Sequence, residues 1–475
     1  MQLKTALSEI SGLRYMVDRL GIQSSLARHI LLSTPFITGR SELQVLLDQV
    51  AEGVSALQNE EKKAVLQKAA IRLSQVKDIR GTVKNIQQGL TLNDIELFEV
   101  KSFALISEDI RELLGPEPFT GISIPCLNSV LDILDPEKAR IPTFYINGRF
   151  DPALDLLRRE LNKIEIRLQN GDDAGLQRTA DGLRGEVDAI EDRVRQRLSE
   201  QLMPLADDIS GAIAAIAATD ILMAKAAQAI SENLVMPDTS AEVTAYKGLF
   251  HPQLKASLEQ QNKRYQPVDI RIENGTTLIT GANMAGKTVL LKTLALSQTM
   301  CQYGFFVPAS AAGIALVDQV MFSITDEQSE LSGLSSYAAE MLKVNRIIRQ
   351  ARKKRPLLIL IDELARTTNP AEGRAIVAAV AGFLNNCNAK AVITTHYGGL
   401  QVGCRKLRVK GFVEDVEDKP VTVHNIGDYI DYSLIEDDGS TVPQEALRIA
   451  RILGVDEEII DEAAGRLKQA GETNQ

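Results

Sequence analysis

The chain has 475 residues, a formal net charge of -10 at pH 7, and 44% hydrophobic and 24% charged residues. This composition is typical of a globular protein, and the length predicts two or three domains. The acidic balance argues against a generally basic nucleic-acid-binding surface, although it leaves room for a local one.

Residues 1–235 are predicted to be almost entirely helical, because apolar residues recur at helical spacing through 6–20, 41–57 and 60–76. A long charged stretch at 151–203 is interrupted by glycines and predicts two antiparallel helices that form a short hairpin. The acidic and basic residues of this hairpin are nearly balanced. A solvated surface is therefore favoured there over a binding surface.

Strand-like and helix-like runs alternate after residues 237–251, which predicts a mostly parallel sheet flanked by helices. The predicted fold class is therefore α + α/β, with an all-α region at 1–235 and an α/β domain at 236–475. The basic run 352–355 ends a predicted helix just before Pro356. We favour a role in complementing the helix dipole over a nucleic-acid-binding patch.

Four cysteines without paired spacing predict reduced thiols in a cytoplasmic protein and no zinc site. The start of the chain lacks a signal-peptide pattern, and we expect no segment to span a membrane. The alanine-rich run 209–230 includes Asp220 and Lys225, which is typical of a closely packed helix in a bundle.

A glycine-rich loop between a predicted strand and a predicted helix indicates phosphate binding. Gly281 and Gly286 are separated by four residues and are followed by Lys287 and Thr288. Backbone N–H groups and the helix N-terminus would surround the phosphates, Lys287 would reach them, and the Thr288 hydroxyl would hold Mg²⁺. The loop predicts that 236–475 is a P-loop NTPase domain, with ATP and Mg²⁺ as its ligands. The predicted nucleotide-binding residues of the loop are Gly281, Ala282, Asn283, Met284, Ala285, Gly286, Lys287, Thr288 and Val289.

Two further predicted strands end in polar residues that suit this chemistry. The apolar run 357–361 is followed by Asp362 and Glu363, and the run 391–395 is followed by His396. Open α/β sheets place their ligands at the carboxyl ends of the strands. Asp362 would then hold Mg²⁺ together with the loop hydroxyl, Glu363 would accept a proton from water, and His396 would sense the terminal phosphate. The predicted catalytic residues are Lys287, Glu363 and His396.

These motifs resemble those of the MutS mismatch-repair ATPases. Asn283 and Met284, between the loop glycines, are distinctive of that family's phosphate loop. Residues 362–368 resemble its acid-pair motif, and 395–397 resemble its sheet-end histidine motif. Residues 332–337 resemble its serine-containing loop.

The resemblance is strong over 245–400 and weaker over 10–235, which is similar to the family's helical core and levers, with a short clamp near 151–203. It implies an ATPase that acts as a homodimer or as a heterodimer with a related subunit, joined through C-terminal helices. In such a dimer Ser335 or Ser336 would contact the γ-phosphate in the partner's site. The resemblance also implies that Tyr265 stacks on adenine.

The chain departs from the family pattern at several points. Nothing corresponds to the N-terminal mismatch-reading and connector domains, so we expect a truncated member of the family. Substitutions also fall after the loop hydroxyl, in the serine loop and after the acid pair, at Val289, Leu334, Ala365, Thr367, Asn369 and Pro370.

Two kinds of client fit the resemblance. One is duplex or branched DNA, gripped without mismatch recognition. The other is a protein client, because some MutS-like ATPases resemble reactivating factors for adenosylcobalamin-dependent aminomutases. The four histidines do not form the Asp-x-His-x-x-Gly cofactor motif, although such a factor need not bind the cofactor itself. A purely structural coiled-coil protein is disfavoured by the loop, the acid pair and the histidine.

Overall fold

The computed structural model describes residues 1–169, 174–281, 285–324, 336–366, 368–412, 429–437, 445–452 and 454–472. In chain order the helices are α1 (Leu3–Glu9), α2 (Leu13–Asp18), α3 (Ser25–Ser33), α4 (Arg40–Gln58), α5 (Glu60–Leu73), α6 (Arg80–Gln87), α7 (Asp94–Leu114), α8 (Asn128–Leu134), α9 (Ala153–Leu168), α10 (Ala174–Leu202), α11 (Ala206–Ser231), α12 (Pro252–Gln260), α13 (Lys287–Gln302), α14 (Ser336–Ala351), α15 (Pro370–Asn385), α16 (Glu445–Ile452) and α17 (Glu457–Glu472). The strands are β1 (Thr244–Leu249), β2 (Val268–Ile272), β3 (Gly275–Thr280), β4 (Ala311–Gly313), β5 (Gln319–Ser323), β6 (Leu357–Ile361), β7 (Ala389–Thr395), β8 (Arg405–Phe412) and β9 (Ile430–Glu436).

The chain forms two compact units. The helical unit comprises Gly21–Ser33 and Gln49–Ala227, and the sheet unit comprises Met1–Leu20, Thr34–Asp48 and Gln228–Gln475. All nine strands named above belong to the sheet unit, so the α + α/β class predicted from the sequence is confirmed.

Local sequence signals fix the helices of the helical unit. Asn93 begins α7 with a capping box, in which its side chain accepts from the Glu96 N–H and the Glu96 side chain accepts from the Asn93 N–H. Helices α9 and α10 run antiparallel. Arg158 of α9 pairs with Glu191 of α10, and Arg184 of α10 pairs with Glu165 of α9, each at 2.7 Å. Both pairs are accessible to solvent, so screening leaves them little effect on stability. The clamp role of this hairpin remains a prediction.

Helix α11 has a buried polar interior. The Asp220 carboxylate accepts from the N–H groups of Gln23 and Ser24 at 3.0 and 2.8 Å, and from the Ser24 hydroxyl at 2.7 Å. Lys225 is buried one helical turn further on, and burial lowers the pKa of its ammonium group to about 7. The helical bundle therefore tolerates two ionisable groups in one core helix.

Among the described residues, the helical stretch 174–231 is long and apolar enough to cross a membrane by length and composition. No such segment was predicted from the sequence. The most apolar window of this stretch is 72% buried within the protein, which is typical of a core helix.

The larger sheet has six strands in the order β5-β6-β7-β3-β8-β9. The first five are mutually parallel, and β9 pairs antiparallel with β8 at one edge. A separate antiparallel sheet has the order β2-β1-β4. The predicted mostly parallel sheet is thus observed.

Both faces of the parallel sheet are covered. On one face, Ile359 and Ile393 join a buried cluster with Val344 of α14 and Val377 of α15. The residues that alternate with this cluster, such as Leu360, are also buried, and α13 contacts β5, β6 and β7. This double coverage explains why the strands have continuous apolar sequences.

The first residues of the chain pack within the sheet unit, around the end of α13. The buried Gln302 side-chain amide donates to the carbonyls of Ile37 and Val317 at 2.8 and 2.7 Å, and Val317 N–H donates back to it at 3.2 Å. Phe36 meets the ring of the buried Tyr303 edge-on at 5.6 Å. The amide network therefore ties 34–48 to the helix that follows the glycine-rich loop.

The compact units thus differ from the predicted division at residues 235 and 236. Residues 1–20 and 34–48 were predicted to lie in the helical region, yet they belong to the sheet unit. Helical periodicity identifies a helix but carries no information about the partner on which its apolar face packs. The functional division into 1–235 and 236–475 remains a prediction.

Replacing Gly12 with alanine should destabilise the sheet unit. Gly12 has φ +82°, and an added Cβ would lie 2.8 Å from the His251 ring and 3.1 Å from Leu296. The backbone strain and the overlap together predict a loss of about 1–3 kcal/mol. Urea unfolding measures it, with Gly39→Ala as the control, because a Cβ at Gly39 would meet nothing closer than 3.7 Å. Equal midpoints for the two variants would contradict the packing described here.

Burial of Lys225 predicts a pH-dependent stability. The folded pKa is about 7 against a usual 10.5, so the unfolded chain binds the proton more tightly between these values. The free energy of unfolding should therefore rise with pH across this window, by at most about 1.4 kcal/mol per pH unit from this group. Lys225→Met should remove that contribution, measured as urea midpoints at pH 7.5 and 9.5. Lys68→Met, at an exposed position on α5, should keep the wild-type slope.

Candidate active site

Three adjacent strand ends bring the predicted site residues together. Strand β7 lies between β3 and β6, and all three run parallel. The chain leaves β3 at Gly281, β6 at Asp362 and β7 at His396. Residues that are 34 to 115 positions apart in the sequence therefore meet at one edge of the sheet. This is the edge at which α/β sheets bind ligands.

The carboxylate of Asp362 links all three strand ends. Its two oxygens accept from the hydroxyls of Thr288 and Thr394, each at 2.6 Å. The Thr394 hydroxyl in turn accepts from the Glu363 N–H at 3.0 Å. Asp362 and Thr394 are buried. Hydrogen bonds to a buried carboxylate are short and strong, so this network fixes the acid pair relative to the loop helix.

Two cations surround the Glu363 carboxylate. Lys287, which is buried, has its ammonium 3.9 Å from one oxygen and donates to the Gly281 carbonyl at 2.6 Å. The largely exposed Arg366 donates to the other oxygen at 3.0 Å. One face of Glu363 is thus held by the loop lysine and the other by an arginine that solvent can reach.

His396 lies at the same edge, at an exposed position. Its ring lies 4.1 Å from the Tyr397 ring, centroid to centroid, at an angle of 42°. Loss of solvation lowers the pKa of His396, and the charges of Lys287 and Arg366 lower it further, against the opposing effect of Glu363. A pKa below the usual 6.5 leaves the imidazole uncharged at neutral pH, able both to donate and to accept a hydrogen bond.

The turn after the acid pair has a strained backbone. Glu363 and Ala365 have φ values of +43° and +60°, a region that non-glycine residues seldom occupy. The Ala365 carbonyl accepts from the Tyr397 hydroxyl at 3.1 Å, and its N–H donates to Glu340 at 2.9 Å. These two contacts hold the turn. The strain falls at one of the positions where the sequence departs from the family pattern.

A cavity of about 260 Å³ opens beside the loop. Tyr265 and Tyr432 line it, together with Val289 and other apolar residues. The Tyr265 hydroxyl accepts from the His251 N–H at 2.9 Å, which orients the ring. Gly286 has φ +74°, and a Cβ there would lie 3.0 Å from the Tyr432 ring, so only glycine fits.

Tyr432 was not found by sequence reasoning. It lies on β9, and its N–H donates to the Gln266 side chain at 3.1 Å, across 166 positions of the chain. Thr394 was also missed, because a threonine inside an apolar strand gives no sequence signal of its own. Strand order alone brings both to the site.

Several predicted residues lie outside the described part of the chain. Ala282, Asn283, Met284 and Ser335 belong to this group, and only the backbone of Ser336 is described, as the first residue of α14. Of the remaining predictions, the structure brings Lys287, Thr288, Asp362, Glu363 and His396 to one edge, and Tyr265, Ala285, Gly286, Lys287 and Val289 to the adjoining cavity.

Thr394→Val should destabilise the sheet unit. The change keeps the shape of the side chain but leaves the Glu363 N–H and one Asp362 oxygen without their partner, at a cost of about 1–3 kcal/mol. Thr299→Val is the control, because that threonine is equally buried and its hydroxyl has no hydrogen-bond partner among the described residues. Urea unfolding of both variants should show a loss for Thr394 alone. A comparable loss in both would mean that the Thr394 hydroxyl does not organise the acid pair.

Comparison of the sequence with known proteins identifies relatives of the region that contains this site. Residues 277–470 match the family model described as MutS domain V. The chain is 29% identical over 271 residues to the DNA mismatch repair protein MutS of Carboxydothermus hydrogenoformans, covering 56% of this chain and 31% of that protein. It is 30% identical over 335 residues to the Endonuclease MutS2 of Caldicellulosiruptor bescii, covering 69% and 39%.

The chain thus spans about a third of the length of the curated relatives it matches. The matched region contains the loop, the acid pair, the sheet-end histidine and β9. Residues 277–470 thus form a MutS domain V, and the curated relatives that the chain matches are MutS and MutS2 proteins.

Proposed function

We propose that this protein binds ATP with Mg²⁺ at the carboxyl end of its parallel sheet, hydrolyses it, and uses the cycle to change its grip on DNA. The observation that carries the proposal is the network around Asp362. A loop lysine, a loop hydroxyl, the two consecutive carboxylates that follow β6 and the Thr394 hydroxyl of β7 are connected by hydrogen bonds or an ion pair. Phosphoryl transfer at a glycine-rich loop uses the lysine, the loop hydroxyl and the carboxylates of this set.

The loop supplies the positive charge for the phosphates. Lys287 now donates to a carbonyl of its own loop, so its ammonium is already directed at the position that the loop encloses. Gly286 begins α13 in a left-handed conformation, and the N-terminus of this 16-residue helix carries partial positive charge. Binding of the phosphates would replace the lysine's contact with the carbonyl.

The residues present fit Mg²⁺. Among the described residues, no group of three or more His, Cys, Asp or Glu side chains could enclose a metal ion. Mg²⁺ does not require such a cage, since it is bound through one or two carboxylates together with substrate phosphates. Thr288 and Asp362 would hold it, and the ion would neutralise charge on the phosphate oxygens. Their present hydrogen bond brings together the two oxygens that this role requires.

The cavity beside the loop fits the base of the nucleotide. Tyr265 and Tyr432 offer aromatic faces, and stacking of a base on an aromatic side chain contributes about 1–3 kcal/mol. The hydrogen bond from His251 to Tyr265 would hold one of these faces in place before the ligand arrives.

Glu363 would accept the proton of the attacking water. Arg366 holds one of its oxygens, so the oxygen nearer to Lys287 is the one available, unless Arg366 turns into solvent. The neutral His396 would donate to or accept from the terminal phosphate region without adding charge. The main contribution of these groups is positioning and electrostatic stabilisation.

The proposal extends to a dimer with composite sites. Ser335 or Ser336 would complete the partner's site, and α16 and α17 would contribute to the contact between subunits. ATP can drive a change of shape only if it binds the two shapes with different affinity. The strained turn at Glu363 and Ala365 is an element that such a change would relax.

DNA is the client that the comparisons favour. The printed names of the relatives are DNA mismatch repair protein MutS and Endonuclease MutS2. The net charge of -10 requires that DNA binding be local, since phosphate contacts dominate such affinity.

Glu363→Gln should bind ATP yet turn over slowly. Gln keeps the size of the side chain but cannot accept the proton, so turnover should fall by about 10²–10⁴-fold. Steady-state ATP hydrolysis measures turnover, and equilibrium binding of a fluorescent ATP analogue measures affinity. Glu372→Gln, an exposed acid at the start of α15, serves as the control. Normal turnover in Glu363→Gln would remove this residue from the proposed role.

Adding DNA should change ATP turnover in a salt-dependent way. Hydrolysis is measured with duplex, mismatched and branched DNA at rising salt, with Glu363→Gln as the blank. A DNA effect that weakens as salt increases is expected, because phosphate contacts release counterions. If no DNA changes the rate of ATP hydrolysis, the proposal that DNA is the client is wrong. A protein client such as an aminomutase would then be tested.

A further inference from the structure

A second cavity, of about 290 Å³, lies at the opposite edge of the parallel sheet. Leu357 and Ala389, the first residues of β6 and β7, form part of its wall. The polar residues around it are Arg40, Glu242, Asn274, Asn388 and Lys390. The cavity is thus separated from the candidate active site by the length of the central strands, and the proposed ATP chemistry does not use it.

Lys390 is placed on β7 at the base of this cavity and is only 7% exposed. Its ammonium donates to the Asn274 side-chain oxygen at 2.8 Å. A lysine ammonium has three N–H donors, and this is the one hydrogen bond that the described residues provide. A buried ammonium with two further donors requires acceptors in the adjoining space, because leaving such donors unmet is costly.

Arg40 adds a second cation at the rim. It is exposed, and no carboxylate of the described residues lies within 4.0 Å of its guanidinium. It is the first residue of the 19-residue helix α4, so the partial positive charge of the helix N-terminus adds to its own.

Glu242 is the acid that lines the cavity. Its charge opposes the lowering of the Lys390 pKa by burial, but it forms no ion pair with either cation among the described residues. Two cations and one carboxylate thus line the cavity. Hydrogen bonds from a neighbouring serine, and then the charge of Arg40, lower the pKa of the nearby Asp238 carboxylate, which is not part of the lining. The amide of Asn274 supplies further N–H donors.

We propose that this cavity binds a small molecule through a carboxylate or phosphate group, which Lys390 contacts from the floor and Arg40 from the rim. An oxyanion offers several acceptors at once, which matches the donors that the cavity presents. The cavity is close in volume to the one beside the glycine-rich loop, so it has room for a small organic anion as well as for inorganic phosphate. This inference does not rest on ATP hydrolysis.

The test is calorimetric titration of the full chain with inorganic phosphate and, separately, with succinate, at an ionic strength kept constant with chloride. Lys390→Met and Arg40→Gln should each weaken binding, and loss of a charge-assisted hydrogen bond predicts an effect of about ten- to a hundred-fold. Lys353→Met, which removes an exposed lysine just after α14, is the control and should bind both probes as the wild type does. Lys287→Met is titrated in parallel to detect phosphate binding at the glycine-rich loop.

The probe that binds more tightly identifies the group as phosphate or carboxylate, and either result supports the site. Arg40 is exposed, so its variant tests the proposal even if Lys390→Met fails to fold. Wild-type affinity in both Lys390→Met and Arg40→Gln would overturn the proposal. Absence of saturable binding of both probes by the wild-type chain would do the same. Loss of phosphate binding in Lys287→Met alone would assign the binding to the loop instead.

Discussion

The hydrogen bonds of the Asp362 carboxylate are the interaction on which the candidate active site depends. One oxygen reaches the helix that follows the glycine-rich loop, and the other reaches the central strand β7. A buried carboxylate is stable only when its oxygens are satisfied, so the two threonine hydroxyls and the acid constrain one another. The first turn of α13, the acid pair and the end of β7 are consequently joined by one network of hydrogen bonds.

The same loop helix connects the active site to the first residues of the chain. Its far end carries Gln302, whose side chain is satisfied by backbone groups of Ile37 and Val317. The His251 N–H donates to Tyr265, and the His251 ring packs against Gly12. A shift of the loop helix or of Tyr265 on binding a ligand would therefore change the packing of residues 1–20 and 34–48.

Strain and burial are placed unevenly. The non-glycine residues Glu363 and Ala365 adopt left-handed backbone conformations beside the acid pair, whereas the sheet beneath them is regular and fully covered. Strained backbone persists where surrounding contacts fix it, here those of Tyr397 and Glu340. The buried Lys390 at the other edge of the sheet is a second costly feature, and its cost is offset when an acceptor occupies the cavity.

The sequence by itself determined the glycine-rich loop, the acid pair, the apolar strands and the α + α/β class, because these depend on contiguous residues and on short-range periodicity. Tertiary structure alone decided that Thr394 joins the acid pair, that Tyr432 and Tyr265 line one cavity, and that residues 1–20 and 34–48 pack in the sheet unit. It also brought Arg40 and Lys390 to one cavity. These contacts depend on strand order and helix packing, which bring distant residues together without leaving a local pattern in the chain.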